Sequence, residues 1–464
     1  MHQTVKFDAA VLRRYDVNGP RYTSYPTAVQ FSSSFGEKEY RAAVHDSNDD
    51  PIPRSLSLYV HIPFCTSPCF YCACTRIITR DPQKAGLYLD RLYREIEMHG
   101  GLFDRDRCVE QLHFGGGTPT FLSMQQMTEL MQRLESAFGF AGRNDREFSI
   151  EIDPRTVDAH KIEQLAALGF NRISLGVQDF DARVQEAVNR VQSVDETLAV
   201  IDAARINNIN SINLDLIYGL PCQTLDGFAR TLDIVIQARP ERLAVYSYAH
   251  LPEVFKAQRQ LDASALPDAE TKLALLELSI EKLTAAGYVY IGMDHFALPE
   301  DELVIAQHDG SLQRNFQGYS TRAECDMIGM GMSSIGKVGD TYSQNARDIR
   351  DYYAIIDEGR LPVARGVGLS FDDRIRRDVI QRVMCQGEVA FAEIEQRWDV
   401  GFENYFHVVR SRLDMLACDG LIEIDRKRLV VTPKGRLLLR VVAMSFDAYA
   451  MKVLDARTRF SRII

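Results

Sequence analysis

The sequence predicts an α/β fold: an open, partial (β/α)6 TIM-like barrel with an N-terminal arm and a mostly helical C-terminal domain. Three observations carry this. Short β-branched or alternating runs end in polar residues. Stretches of helical period separate and follow them. Beyond residue 369 that alternation gives way to helices. Strands alternating with helices imply βαβ units and a parallel sheet. A complete barrel of this kind has eight units. Six leave it open, with a mouth wide enough for a large substrate.

Taken in order, residues 1–52 are polar and punctuated by Gly and Pro. They contain Gly19-Pro20-Arg21-Tyr22-Thr23-Ser24-Tyr25-Pro26-Thr27 and read as an arm over the active site. Residues 53–368 form the barrel and its extension. Its strands are expected at 56–61, 109–114, 147–152, 172–177, 212–217 and 243–248. Helices are expected at 84–99, 123–138, 158–168, 181–207, 225–238 and 268–286, and a further strand at 288–293. Residues 369–464 give helices at 373–385, 391–398 and 405–418, a hairpin at 421–432 and a helix at 436–449. That order is winged-helix-like. Lys and Arg only slightly outnumber Asp and Glu there, so a lid over the barrel is expected, not a DNA-binding unit.

Composition narrows the function. The 464 residues are 46% hydrophobic, enough for a large core, and carry a formal charge of −10. That charge argues against general binding to nucleic acid or to anionic membranes. No apolar run approaches the ~18–20 residues needed to span a bilayer. The opening Met1-His2-Gln3-Thr4-Val5-Lys6 has no apolar core of a secretory signal, so a cytoplasmic location is expected. No coiled-coil seam is evident, and a monomer is expected.

Nine cysteines are present, four of them between Cys65 and Cys74. One tight cluster within an odd count points to metal ligation over disulfides. Cys65, Cys69 and Cys72 have the spacing C-x3-C-x2-C on the loop after the first strand, where barrels of this kind place their active sites. A four-iron cluster otherwise takes four thiolates. Three leave one iron open for a cofactor or substrate. Two other ligations fit the residues: a Cys₃His zinc site using His61, and an electron-transfer cluster with Cys74 as fourth ligand.

Polar residues end the other strands: Gly115-Gly116-Gly117-Thr118 the second, Glu151 and Asp153 the third, Gln178 the fourth, Asp215 the fifth, and Ala249-His250 the sixth. Glycines there let the backbone approach a ligand. Together, on one predicted rim, these strand-end residues look like a site. Each alone is also an ordinary strand-end polar group.

The C-x3-C-x2-C motif with Tyr71 before its last Cys resembles the radical S-adenosylmethionine superfamily. Arg21–Thr27, the added Cys74, Gly115–Thr120, Asn315-Phe316-Gln317-Gly318-Tyr319 and the closing Phe460-Ser461-Arg462 are similar to the oxygen-independent coproporphyrinogen III oxidase (dehydrogenase) family, nearly end to end. The resemblance implies a [4Fe–4S] cluster on Cys65, Cys69 and Cys72 and two molecules of S-adenosylmethionine. Tyr59, Gly116, Glu151 and Ile335 match positions for the cluster-bound molecule. Tyr71, Gly117, Thr118, Gln178, Arg190, Asp215 and Ala249 match positions for the second. Phe316 and Gln317 match a functional pair near the cofactors. Arg21 is a candidate for the propionates of coproporphyrinogen III, since guanidinium grips carboxylate in a bidentate fork.

The implied reaction is anaerobic. A 5′-deoxyadenosyl radical takes hydrogen from a propionate β-carbon. Loss of CO₂ and one electron then leaves a vinyl group, and two rounds give protoporphyrinogen IX in haem biosynthesis. An electron donor such as flavodoxin or another reductase system is implied. Two rival expectations are another radical enzyme acting on a tetrapyrrole and a related haem chaperone. The chaperone branch lacks the fourth Cys and the arm motif, so Cys74 and Arg21–Thr27 favour the enzyme.

Overall fold

A computed structural model describes residues 5–322 and 325–450 of the chain. The closing 460–462 motif lies outside them. The barrel strands are Leu56–Ile62 (β1), Val109–Gly116 (β2), Glu147–Ile152 (β3), Arg172–Gln178 (β4), Ser211–Tyr218 (β5) and Arg242–Ser247 (β6). Then come Val289–Gly292 (β7), His295–Ala297 (β8), Asp326–Met330 (β9), Ile335–Val338 (β10), Thr341–Asn345 (β11) and Val363–Gly368 (β12). Together they make one 12-stranded sheet, ordered β12-β11-β10-β9-β1-β2-β3-β4-β5-β6-β8-β7. β1 to β6 pair in parallel as expected. The order is linear, and among the described residues the edge strands β12 and β7 do not pair with each other.

Period two explains the barrel. Leu56, Leu58, Val60 and Ile62 on β1, and Ile212, Leu214 and Leu216 on β5, are buried in the core shared with the helices. The helices are Gln83–Gly100, Met124–Phe138, Ala159–Ala167, Val194–Ile206, Leu225–Ala238 and Ala269–Ala285. Ser123, Asp158, Ser193, Thr224 and Asp268 cap five of them through their side chains, which satisfies amide groups that a helix start leaves unpaired. The alternate residues, among them Ser57, Tyr59 and His61 on β1 and Asn213 and Asp215 on β5, face the lumen.

Three expected helices are corrected. The helix at 181–207 is two, Ala182–Ala187 and Val194–Ile206. Asn189 takes φ 55 between them and its side chain donates to Pro68 O at 2.7 Å; both helices keep an apolar face, so the periodicity ran through the break. The strand expected at 288–293 occurs as Val289–Gly292, with β8 between it and β6 in the sheet. A seventh parallel strand, β9, joins the other side of β1. The helix at 405–418 splits into Phe402–Tyr405, a 3₁₀ turn His407–Val409 and Arg410–Cys418, and that at 436–449 into a 3₁₀ turn Gly435–Leu438 and a short helix Leu439–Met444.

The arm packs in two directions. Leu12, Tyr15, Tyr22 and Tyr25 lie in one core with Ile375, Val379, Phe402 and Phe446 of the C-terminal domain. Phe35, Tyr40 and Val44 join the barrel core. Tyr22 Oη donates to Asp447 at 2.9 Å, and Arg440 Nε donates to Pro20 O at 2.9 Å.

β9 is fastened by a buried ion pair. Arg107 Nη2 lies 2.6 Å from Asp326 Oδ2, with side chains 2% and 0% exposed. Arg107 also donates to Asn48 Oδ1 and Arg54 O, and Gly339 N donates to Asp326 Oδ1. Removing one partner strands a buried charge. Arg107→Ala should therefore cost about 3–5 kcal/mol of stability in denaturant melts.

Candidate active site

The cysteine loop is locked to the glycine loop through backbone. Phe64–Cys65 pairs in parallel with Ile77–Ile78, which closes the loop on itself. Gly117 N donates to Ile62 O and Thr118 N donates to Phe64 O, both at 2.8 Å. A Cβ on Gly117 would lie 2.7 Å from the Pro63 carbonyl carbon and oxygen, and one on Gly116 would lie 2.6–2.9 Å from three atoms of the His61 ring. Gly116 also has φ +114, a conformation that favours glycine. The two loops approach this closely only because both positions lack side chains.

This places the thiols at the C-terminal end of β1. Thr118 Oγ1 donates to Cys65 Sγ at 3.4 Å. Arg190 Nη1 donates to Cys69 Sγ at 3.4 Å, with Arg155 Nη2 at 3.9 Å. Arg76 bonds the carbonyls of Cys69, Cys72 and Cys74. Burial pushes the Cys65 thiol up to about 11, whereas a hydrogen bond from the Cys74 thiol, against burial and with Arg76 beside it, pulls Cys72 down to about 6. The zinc reading needs His61 as its fourth ligand. His61 is engaged elsewhere, with Nε2 2.9 Å from Thr75 O and Nδ1 3.1 Å from Tyr59 Oη. Three thiols on one loop are a donor set that fits a four-iron cluster with one iron left open, and Arg190, which donates through Nη1 to Cys69 Sγ, has its buried Nε without a hydrogen-bond partner.

Around this loop the lumen wall is polar. The Tyr59 ring stacks on His113 at 5.8 Å. His113 Nδ1 pairs with Ser149 Oγ at 2.6 Å, and its Nε2 faces Glu151 Oε1 at 3.4 Å. Glu151 Oε2 accepts from Gly116 N at 3.2 Å. Burial raises the Glu151 carboxyl, but His113 and the Gly116 amide hold it below the usual carboxylate range. Asp153 joins Arg190 at 3.0 Å and Arg155 at 2.6 Å. Arg190 Nη2 continues to Gly176 O at 2.5 Å, next to the bulge where Gln178 takes φ 69. Asp215 accepts from Asn213 at 2.9 Å and Ser174 at 3.1 Å. Gln258 Nε2 ties Tyr71 O to Ala249 O at 3.1 and 3.2 Å.

Four candidates lie apart from that ring. Ile335 begins β10, against Gly329, which pairs with Tyr59 in register. Phe316 and Gln317 form the turn between Gln313–Asn315 and Gly318–Ser320. Gln317 Nε2 meets Met327 Sδ at 3.6 Å, and Met327 is level with Ser57, at the lumen floor. Arg21 reaches the lumen wall from the arm: Nη1 lies 3.1 Å from Asp294, and the guanidinium lies 5.8 Å from the centre of the inward-facing Tyr246 ring.

Sequence reasoning passed over His113, Arg155, Asn189 and Gln258. His113 alternates with Gln111 and Gly115 on β2 and could have been found by period two. Gln258, in a 3₁₀ segment far along the chain, carried no signal.

Two outcomes follow from this geometry. Gly117→Ala pushes a methyl into backbone and should cost about 1–3 kcal/mol while lowering iron bound per chain on reconstitution; iron content at the wild-type level would contradict the interlock. Burial, then the charge of Glu151, pushes Asp215 up to about 7. The folded chain thus keeps a proton that an unfolded carboxyl loses near ~4, and this contribution to stability is lost as pH rises towards 7. Asp215→Asn should melt like wild type at pH 4 and be more stable at pH 8, by on the order of 1–2 kcal/mol; a pH-independent difference would contradict the assignment.

Residues 59–235 match the Radical SAM superfamily, and residues 369–438 match the HemN C-terminal domain. The chain is 52% identical over 464 residues to an oxygen-independent coproporphyrinogen III oxidase of Pseudomonas aeruginosa, covering 100% of both chains. It is 46% identical to the Escherichia coli protein of that name, covering 100% of this chain and 99% of that one. The solved structure of coproporphyrinogen III oxidase (HemN) from Escherichia coli, described as a radical SAM enzyme, superposes with a TM-score of 0.91 at 46% identity over 96% of this chain and 100% of that one. With full-length identity of this order and a matching fold, the chain belongs to the oxygen-independent coproporphyrinogen III oxidases of the radical SAM superfamily.

Proposed function

We propose that this chain converts two propionate side chains of coproporphyrinogen III to vinyl groups, giving protoporphyrinogen IX, in the cytoplasm and as a monomer. The observation that carries the reading is the three-thiol loop locked against the glycine loop at the mouth of a polar, open lumen. The family's cofactors are a [4Fe–4S] cluster and S-adenosylmethionine, which when bound supply reductive cleavage and a hydrogen-abstracting radical. Each round removes from one propionate a β-hydrogen atom, CO₂ and one electron. An electron donor such as flavodoxin and a final acceptor complete the balance.

The chain's own residues have four tasks. Cys65, Cys69 and Cys72 ligate the cluster, with the guanidinium groups of Arg190 and Arg155 offsetting charge at Cys69. Gly116 and Gly117 present backbone to the methionine end of a cofactor, and Glu151, fixed by His113, takes its ammonium or ribose. Tyr71, Gly117, Thr118, Gln178, Arg190, Asp215 and Ala249 would hold a second S-adenosylmethionine. Asp215, whose carboxyl burial and then Glu151 push up to about 7, can in its protonated form both give and accept a hydrogen bond to a ribose hydroxyl. Tyr59 and Ile335 shape the lumen beside the cofactor, Phe316 and Gln317 close its floor under the substrate, and Arg21 holds a propionate from the arm. The barrel supplies position and excludes water, while the difficult chemistry belongs to the cofactors.

Incubating anaerobically reconstituted protein with S-adenosylmethionine, a reductant and coproporphyrinogen III tests this. Protoporphyrin (after oxidation) and 5′-deoxyadenosine should appear with wild type and be lost with Cys69→Ala. Deoxyadenosine without a vinyl product would move the substrate assignment to another tetrapyrrole. Tight, stoichiometric haem with neither product would favour the chaperone branch. Arg21→Ala should raise the substrate KM; unchanged KM and turnover would remove Arg21 from the site.

A further inference from the structure

Beneath the lumen floor, at the end of the barrel opposite the cysteine loop, lies a cavity of about 230 Å³. Its roof includes Ser57, Gln111 and Met327, which stand at the first levels of β1, β2 and β9. Its walls come from the Gln313–Asn315 ribbon and the helix Phe371–Cys385. In a chain of formal charge −10, seven cationic residues line this cavity against two carboxylates, Asp340 and Asp378.

Those two carboxylates are already in use. Asp340 is shared by Arg374 at 3.1 Å and Arg377 at 3.0 Å. Asp378 is held by Trp398, Arg382 and Arg397. Arg322 pairs outward with Glu110. Among the described residues, Arg54 and Arg314 have no carboxylate within ion-pair distance. Arg314 is 5% exposed. Its Nε donates to Arg21 O at 3.3 Å and its guanidinium lies 4.8 Å from the Tyr319 ring centre, but its Nη1 is buried with no hydrogen-bond partner. Arg377 Nη1 is in the same condition. A buried charge without a counter-charge is costly, which is the state of Arg314, and with Arg377 it gives two guanidinium groups lining one cavity that each keep a buried N–H unmatched; together they mark a place built for an anion.

We propose that this cavity binds the carboxylates of the substrate that do not react. The inference rests on the substrate reading given above and extends it to the far side of the molecule. Guanidinium matches carboxylate in a bidentate fork. The cavity is smaller than the roughly 300–1,000 Å³ of a pocket for a whole ligand, so it takes side arms and leaves the macrocycle in the lumen. Ser57 lies four residues below His61 on β1, or about 13 Å at ~3.3 Å per residue. That depth separates the retained carboxylates from the arm held at the mouth and fixes which arm meets the radical.

The test measures binding of coproporphyrin III, the stable oxidised macrocycle, and of its tetramethyl ester to the full chain by fluorescence quenching. Wild type should prefer the free acid. Arg314→Gln and Arg377→Gln should each weaken free-acid binding about tenfold and leave the ester unaffected. Arg54→Gln, at a half-buried position, should weaken it in the same direction and decides the matter if Arg314→Gln melts below the assay temperature. Free-acid affinity unchanged in all the variants that fold, with wild type still producing vinyl product, overturns the cavity alone. Wild type that neither binds coproporphyrin nor yields vinyl product fails at the function itself and takes this site with it.

Discussion

The site depends on one close approach: the backbone of the glycine loop lying against the backbone of the cysteine loop. Two N–H donors, on Gly117 and Thr118, reach the carbonyls of Ile62 and Phe64 at 2.8 Å. There is no room for a Cβ at Gly117. The thiols of Cys65, Cys69 and Cys72 stand where they do because the end of β1 is held by the end of β2. Everything farther round the mouth is keyed to that pair of strand ends. Glu151 is bonded to Gly116, and Arg190 bridges Cys69, Asp153 and Gly176.

The second constraint is the division of each strand into two faces. The outward face is packed on helices and supplies the hydrophobic stabilisation. That leaves the inward face free to be polar. A wall of Tyr59, His113, Ser149, Glu151 and Asp215 would be expensive in a closed, dry barrel. In an open one the groups bond one another, water or a ligand. The arm and the C-terminal helices then share a core around Tyr22 and Tyr25, which brings Arg21 to Tyr246 and Arg314 to the floor of the lumen. The cationic cavity is thus a product of tertiary packing between segments nearly 300 residues apart in places.

Much of the barrel was legible because period two is a local signal. All six expected strands occur, Glu147–Ile152 with identical limits. The cysteine spacing was equally plain, being set by a chemistry that needs its ligands on one loop. Strand β9 was missed for a physical reason: Asp326–Met330 is short and pairs with β1, some 270 residues earlier, so its identity comes from the partner. The break at 188–193 was hidden because apolar periodicity persists across it. The floor position of Phe316 and Gln317 could not be read either, since a turn's sequence says nothing about which end of a barrel it meets. Arg314 and Arg377 looked like ordinary surface cations. Only the fold shows that they face inward with N–H groups unmatched.

The central claim is that three cysteine thiolates hold the cluster and leave one iron open. Electron paramagnetic resonance of the reduced, reconstituted protein, recorded before and after adding S-adenosylmethionine, tests it most directly, with Cys74→Ser measured beside wild type. The account predicts a [4Fe–4S] signal that changes on addition, in both proteins. A signal indifferent to S-adenosylmethionine, or a cluster that disappears with Cys74→Ser, would show a fourth protein ligand on the last iron and would contradict it.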